Sequence, residues 1–183
     1  VAPSGTIDSD ILRDLLRHHI TVADVGLRLR FDEEHGYLSV ESESILLPPS
    51  VEEAGFAAAR AASLSASPIL AHLANTIATP FAGDGVIPYS TVVSIDSDTA
   101  VALSLRIPGD RLRTGEVLLN TWAADDLQAK IGDPITMTYY VTGSLGRLET
   151  RSETFTLRHV LTLDGPAADP GFIPEYKGIT DTE

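Results

Sequence analysis

The apolar side chains of residues 6–19 recur at the spacing of one helix face, at Ile7, Ile11, Leu12, Leu15 and Leu16. Either Thr6 or Asp8 provides an N-cap for this helix, because both side chains can accept a backbone hydrogen bond. His18 and His19 would lie in its last turn, where a cation is favourable. The pattern therefore predicts a helix at the start of the chain.

The next segment, residues 26–43, alternates between apolar and polar positions with the period of a half-buried strand. A polar turn interrupts the alternation, so the segment predicts an antiparallel hairpin. Arg28 and Arg30 of the first strand could then face Glu41 and Glu43 of the second strand.

Residues 51–64 predict a second helix that is rich in alanine. Ser50, followed three residues later by Glu53, has the form of a capping box at the start of this helix. The many small side chains favour close packing of this helix against a sheet.

The remaining chain predicts more strands than helices. One strand, residues 68–79, would place Ile69, Ala71, Leu73 and Ile77 on one face. Further strands are predicted over residues 87–95, 116–119, 135–141 and 150–163, with a third helix over residues 122–130 capped by Asn120 or Thr121.

This order of elements predicts an α+β fold with a mostly antiparallel or mixed sheet and about three helices packed on it, rather than a doubly wound sheet. We expect residues 1–163 to form this fold, either as one body or as two small lobes. Residues 164–183 are rich in proline and glycine and predict an irregular tail.

Composition argues against several classes of function. The chain has 183 residues, a formal net charge of −13 and no cysteine. The acidic balance argues against binding nucleic acid or anionic lipid, because both need a basic surface. The absence of cysteine excludes disulfides, cysteine nucleophiles, iron–sulfur clusters and thiolate zinc sites.

The sequence also bears on membrane insertion and on whether the chain is part of a longer protein. No apolar run approaches the roughly 18 residues of a membrane span, and we expect no signal peptide within these residues. The chain begins with Val1 rather than methionine, so we expect it to be part of a longer protein.

Motifs for nucleophilic or metal chemistry are weak. The only segment similar to a serine elbow, residues 143–146, falls in a predicted hairpin loop instead of a strand-to-helix turn. His18 and His19 are adjacent and would point about 100° apart on a helix, which disfavours chelation of one ion. The other histidines are isolated, at His35, His72 and His159.

The remaining candidates have structural interpretations. Asp96 and Asp98 could donate oxygens to calcium, but the glycine and distal glutamate of an EF-hand loop are missing, which favours a solvated turn. Asp125 and Asp126 would suit the first turn of the third helix. We expect Trp122 to pack this helix onto the sheet, with stacking on a ligand as the alternative. No catalytic, cofactor-binding or metal-binding residue is therefore assigned, and we expect no enzymatic activity.

A resemblance adds to this picture. Residues 117–127 read VLLNTWAADDL, residues 130–137 read KIGDPITM and residues 155–161 read FTLRHVL. In this order they resemble the v-L-[N/S]-x-x-x-A-x-x-L-x-x-k-x-G-D-x-v-t-l signature, and the strand after it, of the extracytoplasmic domains of FtsX-like, MacB-related ABC transporter permeases. His159 departs from the pattern, because the family usually has a small residue there.

Further segments resemble a subgroup of these permeases with large external domains, at residues 73–77, 87–92, 169–172 and 177–181. The resemblance covers roughly residues 20–183. Gly132 would permit a left-handed turn after the third helix, and Asp133 before Pro134 would start the next strand. These motif residues are ones that form a fold, not ones that perform chemistry.

The resemblance implies a domain on the extracytoplasmic (periplasmic) face of the cell membrane, belonging to a membrane-embedded permease that works with a cytoplasmic ATPase subunit. Such a domain binds an unidentified cargo or extracytoplasmic partner protein and relays ATP-driven movement, without a cofactor. The alternatives are a soluble hydrolase, which requires a deep polar pocket, and a small-ligand-binding module, which requires an aromatic-lined cleft.

Overall fold

The computed structural model describes residues 8–42, 47–80, 85–102, 105, 107, 111–143 and 146–173. Its contacts divide the chain into two compact units, Val1–Ala66 and Ser67–Glu183. The described residues form four α-helices, one two-stranded sheet and one five-stranded sheet, which confirms the predicted α+β fold. No helix among them combines the length and the apolar composition that crossing a bilayer requires.

The first unit begins with helix α1, Ser9–His19. Asp8 caps it, because the Asp8 side chain accepts a hydrogen bond from the Asp10 N–H at 3.0 Å. His18 and His19 lie in the last turn, as the sequence predicts. Thr6 and Ile7 lie outside the described residues, and the other apolar side chains of the predicted face are exposed.

The predicted hairpin is confirmed as strands β1, Leu27–Asp32, and β2, Tyr37–Ser42. They pair antiparallel, with Leu29 opposite Val40 and Phe31 opposite Leu38. All four of these apolar side chains are exposed, so this face of the hairpin forms no closed core.

Helix α2, Pro49–Ala61, begins two positions earlier than a capping box at Ser50 requires. Pro48 occupies the cap position and Pro49 the first helical position, where its fixed φ angle suits the helix and its missing N–H costs nothing. Ser50 therefore lies inside the helix, and no side chain caps it. No residue of α2 is buried, so the expected close packing is not found against β1 and β2, the sheet of its own unit.

The second unit is built on one mixed sheet. Its strands are β3, Ile69–Ala78, β4, Val86–Ile95, β5, Glu116–Asn120, β6, Pro134–Thr142, and β7, Leu148–Leu161. Their order across the sheet is β4-β3-β6-β7-β5. Neighbouring strands are antiparallel except β5 and β7, which are parallel.

Helix α3, Ser97–Ala102, was not predicted from the sequence. Asp96 Oδ1 accepts hydrogen bonds from both the N–H and the hydroxyl of Thr99, each at 2.6 Å. These bonds, first from the hydroxyl and then from the N–H, lower the pKa of Asp96. Asp96 therefore starts a helix rather than a solvated turn, and its Oδ1 is engaged by the N–H and the hydroxyl of Thr99.

Helix α4, Thr121–Asp126, is shorter than the predicted third helix. Asn120 caps it as expected, since its side chain accepts a hydrogen bond from the Ala123 N–H at 2.8 Å. The chain leaves the helix before Gln128, whose φ is +50°. Asp125 and Asp126 consequently lie at the end of the helix, so the expectation that they occupy its first turn is wrong.

Trp122 does not pack α4 onto the sheet. Its side chain is 56% exposed, whereas Ala123 and Ala124 are buried and form the inner face of the helix. One step along a short helix turns a side chain by about 100°, so burying the two alanines directs Trp122 outward.

The core of this unit is a cluster of ten buried residues, to which both α4 and the sheet contribute. Helix α4 packs against β5 and β7. Leu127, Ile135 and Leu157 are the large side chains in it that are fully buried. Leu127 caps the end of α4, whereas Ile135 and Leu157 belong to β6 and β7, so the core joins the helix to the sheet.

The predicted apolar face of β3 is only partly correct. Ala74 and Ile77 are both buried although they are three positions apart, a spacing that places side chains on opposite faces of a regular strand. Asn75 and Tyr89 are missing from the β3–β4 pairing, and Tyr89 has a φ of +48°. The β3–β4 pairing is therefore irregular at this point, and Leu73 is left 39% exposed.

Two short 3₁₀ helices, Gly165–Ala168 and Pro170–Phe172, follow β7 where the sequence predicts irregular chain. Asp169 caps the second, accepting a hydrogen bond from the Gly171 N–H at 2.7 Å. Residues 174–183 of the predicted tail lie outside the described part of the chain.

Candidate functional site

The segments that carry the permease resemblance come together in space. Residues 117–127 form β5 and α4, residues 134–137 begin β6, and residues 155–161 end β7. Seven of the ten buried core residues belong to these segments, at Leu119, Ala123, Ala124, Leu127, Ile135, Met137 and Leu157. The resembling residues therefore build the core of the Ser67–Glu183 unit, as the sequence analysis expects of residues that form a fold.

The turn between α4 and β6 is tied directly to β7. The Gly132 N–H donates to the Leu157 carbonyl at 2.8 Å, and the Leu157 N–H donates to the Asp133 carbonyl at 2.9 Å. The Asp133 carboxylate also accepts from the Lys130 N–H at 2.8 Å. Gly132 has a φ of +97°, which confirms the expected need for glycine at this turn.

His159 occupies the position where the sequence departs from the family pattern. It pairs with Leu118 where the register of β5 against β7 shifts. Its ring is half-buried, and Nδ1 is buried with no hydrogen-bond partner among the described residues. The histidine side chain is larger than the residue usual in the family, and it lies beside the register shift in the parallel β5–β7 ladder.

The far end of β6 and β7 extends beyond the core as a two-stranded arm, residues 139–142 and 148–153, which we call the β6–β7 arm. Strand β3 pairs with β6 at Thr76–Ala78 only, so from Tyr139 onward β6 has no ladder partner in β3. All side chains from Leu148 to Thr154 are exposed. The arm keeps its shape through the antiparallel ladder between its own two strands.

The arm makes one ring contact with β3. The rings of His72 and Tyr139 meet edge-to-face with their centroids 5.2 Å apart. His72, isolated in the sequence, thus has a packing role at the base of the arm.

In the Val1–Ala66 unit, the polar face of the hairpin carries a charged cluster. Glu41 lies between two guanidinium groups, with Arg28 Nη2 at 2.7 Å from Oε2 and Arg30 Nε at 2.9 Å from Oε1. The sequence predicts both pairings, and the second candidate acid, Glu43, lies outside the described residues. The Glu41 side chain is only 10% exposed, so these ion pairs are better shielded than ordinary surface pairs.

The two arginines set the ionisation of Glu41. Partial burial alone would raise its pKa, but hydrogen bonds from Arg28 and Arg30 and their positive charges outweigh that effect and hold the pKa below its ordinary value. Nearby, the His35 N–H donates to Asp32 Oδ1 at 2.8 Å. That backbone bond is the main reason why the pKa of Asp32 is also lowered.

We expect acid to weaken the hairpin through Glu41. Because its pKa is lower in the folded chain, the stabilisation is complete above the unfolded value of about 4.3 and disappears as pH falls through the folded value. Glu41→Gln should therefore destabilise the hairpin by about 1 kcal/mol at pH 7, and less at a pH below the folded value. Hydrogen exchange of the β1–β2 amides measures this difference.

Glu33→Gln is the matched control, because it removes the same charge from the exposed turn of the hairpin. It should leave exchange of the β1–β2 amides nearly unchanged. Equal effects of the two substitutions, or a Glu41→Gln effect that persists in acid, would contradict the stabilising role of the arginine pairs.

Among the described residues, neither His18 nor the surface depressions of the two helices α1 and α2 form a deep polar pocket. His18 Nδ1 lies 2.7 Å from the carbonyl of Asp14, one turn earlier in α1. Two depressions in the described surface each lie along a single helix, and both are open to solvent. One is lined by Ile11, Asp14, Leu15, His18 and His19 of α1, and the other by Ser50, Glu53, Ala54, Phe56, Ala57 and Arg60 of α2.

Of two further candidate residues, one lies outside the described residues and the other does not have the packing role that the sequence predicts. Ser144, the serine of the elbow-like segment, lies outside the described residues. Trp122 is exposed, which leaves stacking on a ligand as a prediction. The β6–β7 arm, in contrast, was missed in the sequence, because strand alternation does not show where a core ends.

Comparison with known proteins adds no assignment. No protein-family model matches the chain, and no curated protein matches it. The proposal below therefore rests on the resembling segments and on the geometry that they form.

Proposed function

We propose that this chain is a non-catalytic extracytoplasmic domain of an FtsX-like, MacB-related ABC transporter permease. It binds a cargo or partner protein and relays movement driven by a cytoplasmic ATPase. The observation that carries the proposal is the convergence of the resembling segments. Three separate stretches of sequence meet as β5–α4, β6 and β7 around one core.

The geometry suits a part that transmits movement as a unit. The β6–β7 ladder runs from the core residue Ile135, which pairs with Phe155, to the exposed end of the arm at Leu148. A continuous ladder whose base lies in a packed core resists bending, because interiors are close-packed. A displacement of the core would therefore reach the end of the arm.

Purification of the full-length parent protein tests the proposal. The protein should be extracted from membranes with detergent and should copurify with a subunit that carries an ATP-binding G-x-x-x-x-G-K-[ST] motif. Failure to copurify any ATPase, with the intact parent protein in hand, would overturn the transporter assignment.

The relay of movement can be measured separately with fluorophores on introduced cysteines, because the chain itself contains no cysteine. A fluorophore on Leu148→Cys reports on the end of the arm, and one on Ile131→Cys reports on the exposed turn beside the core. We expect the distance from the Leu148 label to a fixed label on the ATPase to differ between the ATP-bound and nucleotide-free complexes, with the Ile131 label moving together with it. Unchanged distances for both labels would contradict the relay, even if the ATPase copurifies.

A further inference from the structure

The first half of β7 has one open backbone edge. Strand β5 pairs with β7 from Thr156 to Leu161, and β6 pairs with β7 along its other edge. Among the described residues, the edge of Leu148–Phe155 that faces away from β6 therefore has no ladder partner. We call it the outer edge of β7. An edge strand presents a row of unpaired N–H and C=O groups, so this segment can accept a further strand.

Four charged side chains alternate in sign along this segment. They occupy every second position, which places them on one face of an extended chain, and they are Arg147, Glu149, Arg151 and Glu153. All four are exposed, and none of them has an ion-pair partner in the part of the chain that the structure describes. Their neighbours across the ladder with β6 are uncharged, at Val141, Tyr139 and Met137.

We propose that the outer edge of β7 pairs antiparallel with the same edge of a second copy of this chain, with Thr150 of one copy opposite Thr150 of the other. In this register every arginine faces a glutamate, because Arg147 lies opposite Glu153 and Glu149 lies opposite Arg151. The arrangement is two-fold symmetric, so each of these pairs forms twice. Opposite charges directly across two strands stabilise their pairing.

The same charges disfavour the neighbouring registers. Moving the second copy by two residues places Glu149 opposite Glu149, or Arg151 opposite Arg151, according to the direction of the shift. Parallel pairing in register places every charge opposite its own kind. Like charges directly opposite each other destabilise a sheet, so the alternation selects the antiparallel register centred on Thr150.

The open edge is long enough for this pairing. Residues 147–153 of the two copies cover each other, and Gly146 of the second copy then lies opposite Thr154 of the first. Strand β5 begins two positions further along, where Glu116 pairs with Thr156. The second copy can therefore extend the arm without displacing β5.

The association should be weak. Standard stable interfaces use about 20–30 residues from each partner, whereas the paired edge offers about seven. The net charge of −13 on each copy also opposes approach. We expect a dissociation constant on the order of 100 µM at about 0.15 M salt. This association does not depend on the proposed transport function.

Sedimentation equilibrium with a charge exchange tests the pairing, between about 10 µM and 1 mM chain. The native chain should show a monomer–dimer equilibrium. One variant, Arg147→Glu with Arg151→Glu, makes all four charges negative, and another, Glu149→Arg with Glu153→Arg, makes them all positive. Each variant alone should associate at least tenfold more weakly than the native chain, whereas an equal mixture of the two should form a dimer.

A control separates this effect from the change in net charge. Arg13→Glu with Arg17→Glu makes the same change at exposed positions of α1 and should dimerise nearly as the native chain does. Three results would each overturn the proposal: a native chain that stays monomeric, a dimer that persists in both arm variants, or a mixture of the two variants that fails to associate.

Disulfide formation tests the register, because the chain contains no cysteine of its own. Two Thr150→Cys residues would have their Cα atoms about 4.5–5.5 Å apart, within the range of a disulfide. Ser152→Cys is the matched control, exposed on the same face of the arm, and its two copies would lie about 14 Å apart. Mild oxidation at about 0.2 mM chain should crosslink Thr150→Cys at least tenfold faster than Ser152→Cys. Equal rates, or a faster Ser152→Cys, would show that the register centred on Thr150 is wrong.

Discussion

Replacing Leu157 with alanine is expected to destabilise the Ser67–Glu183 unit by about 2–5 kcal/mol. Leu157 is fully buried in the cluster that joins α4 to the sheet. Its backbone is also bonded to Gly132 and Asp133, which fixes the position of the side chain. The surrounding elements therefore have little freedom to close the cavity that the truncation would leave, and the cost should lie toward the upper part of that range.

Denaturant unfolding followed by fluorescence measures this cost, because Trp122 is the single tryptophan and lies in α4 of the same unit. Leu148→Ala is the matched control on the same strand, where the side chain is 66% exposed. It should change the free energy of unfolding by about 0.5 kcal/mol or less. Similar losses for the two substitutions would mean that Leu157 is not at the centre of the core.

Replacing Gly132 with alanine should destabilise the same unit by about 1–2 kcal/mol. An added Cβ would meet no atom within 4 Å, so the cost does not come from a clash. It comes from the backbone, because a φ of +97° disfavours any residue with a Cβ. The turn has little freedom to relax, since the Gly132 N–H is bonded to β7.

The same fluorescence-detected unfolding measures the effect. Gly132→Asn should cost less than Gly132→Ala, because asparagine tolerates positive φ better than alanine does. If alanine is tolerated as well as glycine, the positive φ at this turn is not required. That result would also remove one of the structural reasons for the glycine in the permease-like segment.

The sequence predicts best the elements that local contacts define. The hairpin of β1 and β2 follows from strict alternation on both sides of a polar turn, and the pairing of Glu41 with two arginines follows from the same register. The caps at Asp8 and Asn120 follow from side chains that satisfy the first backbone N–H groups of a helix. None of these features depends on distant parts of the chain.

The sequence predicts less well where a few residues decide between two local structures. Helix α3 has only six residues, too few for helical periodicity to show, and Asp96 is equally compatible with a turn. In β3 the pairing with β4 omits Asn75 and Tyr89, and alternation within β3 alone predicts neither this gap nor the burial of Ala74. Trp122 points outward, contrary to the sequence prediction, because α4 is short and its buried face is formed by Ala123 and Ala124.

The candidate site also has some features that the sequence predicts and others that require the structure. The core role of the resembling segments was predictable from their apolar positions, such as Leu119 and Ile135, and from Gly132. The exposed β6–β7 arm was not, since the sequence predicts residues 150–163 as one uninterrupted strand, and only the positions of β3 and α4 show where burial ends. The exposure of Ile11, Leu12, Leu15 and Leu16 on α1 also required the structure, because an amphipathic helix normally buries its apolar side.

The location and topology of the full-length parent protein in its own cells test the transporter proposal most directly. An antiserum raised against this chain would follow the protein through cell fractionation and through protease treatment from the outer side of the cytoplasmic membrane. The proposal predicts that the protein is found in the membrane fraction and that the external protease cleaves within this domain. A protein found in the soluble fraction, or one that is protected until the cytoplasmic membrane is broken, would contradict it.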